Sequence, residues 1–327
     1  MKKNIFCTIS TTLLCALLSI SALAQSPAAF PSKTVTLVVP FTPSSGSDII
    51  ARIVAPKLAT KWGQPVIVDN KPGASGNLGA QAVAKSAPDG HTLLMAINTF
   101  TMTPAIYKNL GFDPVNDFSP ITKLAESGFA FAVNPSLPAK DIKSLIGIVK
   151  KNGDKLNYAS PGNGTPHHLA MELFKSSYQL DILHVPYKGI QGALTDLMGG
   201  QVQMMFATVH STRPLEQAGK MRFLAVTGET RNPSVPDVPT FKEQGIKEME
   251  GLEAWFAVLA PGRTATETIN RINRDFIEVM NAPDTRAELA QKGLTVSTSS
   301  PVQMATIIKS DLTRWKKVVS EANITAD

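Results

Sequence analysis

The sequence predicts an α/β protein built from two domains. Short runs of Val, Ile and Leu alternate with stretches in which apolar residues recur every three or four positions. The first pattern is typical of buried strands, and the second of amphipathic helices that cover them. After an N-terminal export signal, about 300 residues remain, which is more than one hydrophobic core usually serves. Two domains are therefore expected.

Residues 1–24 predict a secretory signal. Lys2 and Lys3 precede an apolar run, and an Ala-Leu-Ala motif ends at Ala24. The run is too short and wrongly flanked for a transmembrane helix. Cleavage after Ala24 is expected to leave Gln25 as the first residue of a periplasmic protein.

Composition argues against several classes of site. Both cysteines, Cys7 and Cys15, lie in the signal, so the mature chain is expected to lack thiols, disulfides and thiolate metal ligands. Loss of Lys2 and Lys3 lowers the formal net charge from +6 to +4, and the remaining Lys and Arg are scattered. Such scatter is not typical of nucleic-acid binding. We expect a monomer without cofactor, metal or nucleic-acid partner.

The first strand, loop and helix begin at Val35. The run Val35–Val39 predicts a strand buried on both faces, and Pro40 ends it. A loop of small polar residues, 42–47, follows and leads into a helical apolar pattern. In α/β sheets, ligands lie beyond the carboxyl ends of strands, where helix N-termini attract anions. The loop therefore predicts a carboxylate cradle, while a simple helix cap from Ser45 and Asp48 is the alternative.

The same arrangement recurs along the chain. Strands are predicted at 66–68 and 91–97, each followed by small or polar residues and a helix. A strand at 156–159 opens into the loop 160–168, and a helical pattern follows. We expect this second loop to present its own helix N-terminus to the same ligand, although a plain strand-to-helix loop has the same pattern.

Two strands, at 129–133 and 252–259, are expected to cross between the domains and form a hinge. Residues 25–131 together with 255–327 would form the first domain, and residues 132–254 the second.

The sequence contains no strong catalytic motif. His167 and His168 are adjacent and do not share a helix face as metal ligands at i and i+4 do. Neither a nucleophile elbow nor a phosphate-binding loop is present in the sequence. A secreted α/β enzyme, such as a hydrolase that uses His167 or His168 on a small acid, stays the alternative to a binding protein.

Long motifs support a binding protein. The stretches VPFTPSSGSDIIAR, PDGHTLLM, NYASPGNGTPHHLAMELF and HVPYKG occur in this order. At these residues the chain resembles the tripartite tricarboxylate transporter substrate-binding proteins, also called the Bug family of periplasmic solute receptors. The resemblance implies a two-lobed periplasmic binding protein fold, two α/β domains joined by two crossover strands, that closes on a small carboxylate. It also implies integral membrane transporter subunits as partners, although some members are orphans.

The resemblance also implies the ligand-binding residues. Ser44 and Ser45 stand where the family usually has two glycines, so side chains occupy space where bare backbone normally approaches the ligand. Carried over by motif, the expected ligand-binding residues are Phe41, Ser44, Ser45, Gly46, Ser47, Gly76, Asn77, Asn98, Ser160, Gly164, Thr165, Tyr187 and Thr208.

Overall fold

The structure, a computed structural model, describes residues 30–43, 45–152, 155–249, 252–322 and 324. The predicted signal, its cleavage site and Ser44 lie outside the described residues. Within the described part of the chain, no helix is both long and apolar enough to span a membrane.

The first sheet has six strands in the order β11-β4-β10-β3-β1-β2. Strands β1, β2 and β3 are parallel, whereas β10 is antiparallel to β3 and β4. The strands are β1 (Val35–Val39), β2 (Val66–Asn70), β3 (Thr92–Ile97), β4 (Phe118–Ser127), β10 (Ala254–Pro261) and β11 (Thr295–Val296).

The second sheet has five strands in the order β7-β6-β8-β5-β9. Strand β6 is parallel to β7 and β8, and β5 is antiparallel to β8 and β9. The strands are β5 (Phe129–Val133), β6 (Asn157–Ser160), β7 (Leu183–Pro186), β8 (Met204–Thr208) and β9 (Arg222–Val226). The predicted two-lobed α/β architecture is confirmed.

Helices cover both sheets. The first runs unbroken past Pro56, although a proline inside a helix removes one backbone hydrogen bond and favours a kink or an end. Pro56 lies on the exposed face of the helix, where its ring does not disturb the packing against the sheet. The helices are α1 (Gly46–Trp62), α2 (Asn77–Ala84), α3 (Thr99–Ile106), α4 (Ile142–Asn152), α5 (Pro166–Tyr178), α6 (Ile190–Gly199), α7 (Val209–Gln217), α8 (Thr266–Asn281), α9 (Pro283–Gln291) and α10 (Pro301–Glu321).

The two sheets adjoin at Gly128. Ser127 ends β4 and pairs with Ala254, at the start of β10. Phe129, two residues later, pairs with Thr208 at the carboxyl end of β8. Since β10 begins beside the carboxyl end of β3, the edges at which the parallel strands of both sheets end face each other here.

The chain passes between the sheets next to the strands predicted as crossovers. Strand β5 lies wholly in the second sheet, since both of its neighbours belong to that sheet. The predicted domain boundary after residue 131 therefore falls inside β5, and the one after residue 254 falls one residue into β10.

Helix α10 links the lobes a third time. Its first half buries Met304 and Ile308 in the cluster that covers the first sheet. Its second half buries Trp315 and Val318 in the core of the second lobe. The helix therefore packs against both lobes.

Candidate functional site

Six turns from strand to helix open on the edge where the sheets adjoin. In the first lobe they connect β1 to α1, β2 to α2 and β3 to α3; in the second they connect β6 to α5, β7 to α6 and β8 to α7. Strands β1, β2 and β3 are parallel to one another, and β6 is parallel to β7 and β8, so all six turns lie at carboxyl ends on the same edge of each sheet. All the described residues of the predicted site lie at the last residue of these strands, on the turns or on the first residues of the helices that follow. We call this edge the candidate site.

The β1–α1 turn is a capped helix start, as the simpler alternative predicted. Ser45 Oγ accepts a hydrogen bond from the Asp48 backbone N–H at 3.4 Å. The Asp48 carboxylate accepts from Arg52 Nε at 3.0 Å and from Asn70 Nδ2 at 2.9 Å. Asp48 raises the pKa of the Arg52 guanidinium through this hydrogen bond and its charge, so Arg52 neutralises the acid. Ser47 is buried.

Close approach explains the glycine that begins α1. A Cβ built on Gly46 would lie 2.6 Å from Phe256 Cζ, a distance that real Cβ contacts do not show. Any side chain there would push the turn away from β10. Gly46 therefore lets the helix start reach the centre of the junction.

The next two turns place amides below the surface of the site. Asn77 is buried, and its Oδ1 accepts from Thr103 Oγ1 at 2.9 Å. Asn98 is also buried, and its Oδ1 has no hydrogen-bond partner within the described residues. Gly76, between Phe41 and Pro40, has φ +95°, which favours glycine. Asn77 thus links α2 to α3. The buried Asn98 Oδ1 remains able to accept a hydrogen bond.

In the second lobe, the predicted role of Ser160 needs correction. Ser160 is fully buried, and its Oγ lies 2.7 Å from His184 Nε2. The same oxygen donates to Gly162 O at 3.1 Å and accepts from Gly162 N at 3.2 Å. Its side chain points into the lobe and is fully bonded, so it holds the loop instead of donating to a ligand.

Thr165 and Gly164 lie nearer the surface. Thr165 caps α5, accepting from His168 N at 3.4 Å and donating to Gly162 O at 2.8 Å. Gly164 has φ +69°, and a Cβ there would lie 2.7 Å from Ile106 Cδ1 at the end of α3. The second-lobe loop therefore contacts a helix that begins in the first lobe.

Tyr187 and Thr208 complete the second-lobe side. The Tyr187 hydroxyl donates to Asp196 Oδ2 at 2.5 Å, and burial together with this bond raises the pKa of Tyr187 to about 12. Thr208 Oγ1 lies 2.6 Å from Ser211 Oγ. Both hydroxyls can therefore accept a further bond, but neither has a proton left to donate to a carboxylate oxygen.

Sequence reasoning missed three residues at this edge. Tyr107 OH lies 3.3 Å from Ser75 Oγ on the β2–α2 turn. His167, which the hydrolase alternative named as a catalytic residue, packs edge-on against Phe129 with ring centroids 5.0 Å apart. His184 gave no signal, since a lone histidine in a short strand has no motif to place it beside Ser160.

The geometry does not favour the hydrolase alternative. Ser160 and His184 form a serine–histidine pair, but the serine is inaccessible and already bonded to the loop backbone. A nucleophile needs a free path to substrate. Among the residues described, no group of three His, Cys, Asp or Glu is placed to hold a metal ion.

Comparison with known proteins identifies the family. Residues 50–324 match the family described as tripartite tricarboxylate transporter family receptor. The chain is 36% identical over 308 residues to a UPF0065 protein of Pseudomonas sp. strain P51, covering 94% of this chain and 91% of that protein.

Two solved structures from Rhodopseudomonas palustris are similar along nearly the whole chain. Rpa4515, solved with adipate, has 33% identity and a TM-score of 0.76, covering 91% of this chain and all of that one. MatC, solved with bound malate, has 31% identity and a TM-score of 0.73, covering 89% of this chain and all of that one. The chain belongs to the tripartite tricarboxylate transporter receptor family.

Proposed function

We propose that this protein is a periplasmic receptor that captures a small carboxylated molecule between its lobes by hinge closure. It would deliver that molecule to the membrane subunits of a tripartite tricarboxylate-type transporter. The observation that carries the proposal is the set of six helix N-termini that open on one edge. Unpaired N–H groups and the helix dipole favour an anion at such ends.

The charges around these helix ends support an anionic ligand. The first turns of α2, α3, α5, α6 and α7 contain no acidic residue that would cancel the dipole. The first turn of α1 contains Asp48, whose charge Arg52 balances. The candidate site therefore attracts an anion although none of its predicted residues is Lys or Arg.

One helix end is too weak to hold a ligand. An exposed end contributes about 0.3–1 kcal/mol and a partly buried one up to about 2 kcal/mol. A micromolar ligand needs about 8 kcal/mol. Several ends must act together with hydrogen bonds to the carboxylate, each worth about 1.5–3 kcal/mol. This requirement favours a ligand that both lobes contact at once, and hence closure.

Two relatives point to the class of acid. Rpa4515 was solved with adipate and MatC with malate, and both ligands are short dicarboxylates. A dicarboxylate has one anionic group for each lobe, which suits turns on two facing edges. We assign direct contacts to six predicted residues that are partly exposed, which are Phe41, Ser45, Gly46, Thr165, Tyr187 and Thr208, and by its motif alone to Ser44. Because the Thr165 and Tyr187 hydroxyls already donate within the lobe, their turns would bind the carboxylate through backbone N–H groups. Gly76, Gly164 and the buried Ser47, Asn77, Asn98 and Ser160 would shape and hold the turns.

Calorimetric titration with adipate, malate and succinate tests the proposal. We expect at least one of them to bind with a dissociation constant of about 10 μM or below. Adipamide, which keeps the length of adipate but lacks charge, is the matched control and should not bind. Native mass spectrometry of the exported protein, purified without added ligand, should detect a co-purified acid. Failure of all three acids, with no co-purified anion, would overturn the proposal.

A further inference from the structure

Behind the second-lobe loop lies a stack of aromatic rings. His184 on β7 stacks on His168 of α5 with ring centroids 4.0 Å apart, and on Tyr158 of β6 with centroids 4.6 Å apart. The planes differ by only 14° and 11°. The Tyr158 hydroxyl donates to Glu172, which also accepts from Lys175 at 2.7 Å. The rings are therefore held in fixed orientations from the interior of the lobe.

Each histidine binds one point of the loop. His168 Nδ1 accepts from the Gly164 backbone N–H at 3.0 Å, and His168 is buried. His184 Nε2 lies 2.7 Å from Ser160 Oγ. Since Ser160 donates to Gly162 O and accepts from Gly162 N, its oxygen can accept one further bond, and the His184 Nε2–H supplies it. This accounting leaves His168 Nδ1 unprotonated, so that ring is neutral with its proton on Nε2, and it places a proton on His184 Nε2.

We propose that His168 and His184 are positioning residues, which fix the backbone of loop 160–165 in the conformation that receives the ligand carboxylate. They act through Gly164 and Ser160 and do not touch the ligand. This inference rests on the proposed function, because it assigns that loop to the binding site. The loop needs such support because Gly162 and Gly164 have φ of +141° and +69° and give the backbone wide freedom.

The surroundings favour the neutral rings. Burial, aided by the charge of Lys175, lowers the pKa of His168 to about 4, and burial together with His168 lowers that of His184 to about 4. Glu172 acts in the opposite direction on His184. Tyr158, Glu172 and Lys175 are the other titratable groups facing the stack. Both rings are thus neutral at pH 7, and acidification toward pH 4 protonates His168 Nδ1 and removes the acceptor for Gly164.

Matched substitutions separate positioning from packing. Asn has its Oδ1 as many bonds from Cβ as the Nδ1 of His, and Gln has its Nε2 as many bonds from Cβ as the Nε2 of His. His168→Asn and His184→Gln therefore retain the bond to the loop, whereas His168→Leu and His184→Leu retain apolar bulk and lose it. We expect the leucine variants to bind adipate about tenfold more weakly, the size of one lost hydrogen bond. The dissociation constants of His168→Asn and His184→Gln for adipate should stay within about threefold of wild type.

Two further readouts make the test decisive. Hydrogen–deuterium exchange of ligand-free protein should be faster across residues 160–168 in the leucine variants and normal in His168→Asn and His184→Gln. Between pH 6 and pH 4, wild type should lose more affinity than His168→Asn, and ionisation of adipate cancels in that ratio. If the leucine variants do not fold, this pH comparison decides alone.

Several outcomes would overturn the inference. Three results would each show a packing role only. They are equal adipate affinities of the leucine variants and of His168→Asn and His184→Gln, unchanged hydrogen exchange in the loop of the leucine variants, and identical pH profiles of affinity for wild type and His168→Asn. Failure of wild type to bind any dicarboxylate would contradict the proposed function instead, and the exchange measurement would still test the positioning role.

Discussion

Gly164 offers a quantitative test of how the lobes meet. At φ +69°, an alanine costs about 1–2 kcal/mol because its Cβ crowds the following carbonyl. Its Cβ would also lie 2.7 Å from Ile106 Cδ1. Ile106 must then leave its rotamer, which costs about 0.5–1.5 kcal/mol more. We expect Gly164→Ala to lower the free energy of unfolding by about 1.5–3.5 kcal/mol, measured by urea denaturation.

The chain contains a matched control at Gly63. This residue ends α1 at φ +64°, and a Cβ there would meet nothing within 4 Å. Gly63→Ala therefore carries the backbone cost without the collision. It also carries the same reduction in unfolded-state entropy, which cancels in the comparison. Gly164→Ala should destabilise the protein by about 1 kcal/mol more than Gly63→Ala does.

Ile106→Val removes the colliding Cδ1 and completes the design. In that background, Gly164→Ala should cost no more than Gly63→Ala, because the remaining atoms of residue 106 lie at ordinary contact distance. Calorimetric titration with adipate should show weaker binding for Gly164→Ala and recovery in the double variant. Equal losses at the two glycines, or no recovery with Ile106→Val, would refute the contact between loop and helix.

Three other predictions concern processing, motion and pH. The intact mass of the exported protein should correspond to a chain that begins at Gln25. A mass that shows a diacylglycerol on Cys15 would contradict this. Saturating adipate should reduce the radius of gyration in small-angle scattering, since ligand favours the closed state, and an unchanged radius would remove the hinge argument. Burial raises the pKa of Asp311, so stability should fall as pH rises above the ordinary range of an aspartate; Asp311→Asn should flatten this pH dependence of the free energy of unfolding, measured by urea denaturation.

The elements with strong apolar periodicity could be predicted from the sequence. Strand β1 and helix α1 follow directly from a valine-rich run and from three- and four-residue spacing. Strand β4 was not predicted, because Pro120 and the charged Lys123 and Glu126 interrupt its apolar pattern. Its pairing with β10 and β11 forms it instead. Helix α7 was missed because it contains Pro214 and few apolar residues.

The sequence could predict which turns form the candidate site, but not which way the side chains on them point. Small polar residues after each strand marked the turns correctly, since that pattern is local. Whether Ser160 faces a ligand or the core depends on His184, 24 residues away on another strand. A contact between residues so far apart in the chain cannot be predicted from the spacing of neighbouring residues. Motif reasoning therefore located the loop and assigned the wrong direction to its serine.

The proposed recognition by helix ends predicts how the affinity of the receptor responds to salt and pH. A site that used Lys or Arg would hold its ligand partly through a long-range field that salt screens. Helix ends and backbone N–H groups act within about one turn and do not titrate. Above about pH 5, affinity should therefore follow the ionisation of the ligand alone. Below that, protonation of His168 would remove the acceptor for the Gly164 N–H and release the loop, so acid should weaken binding through the second lobe first.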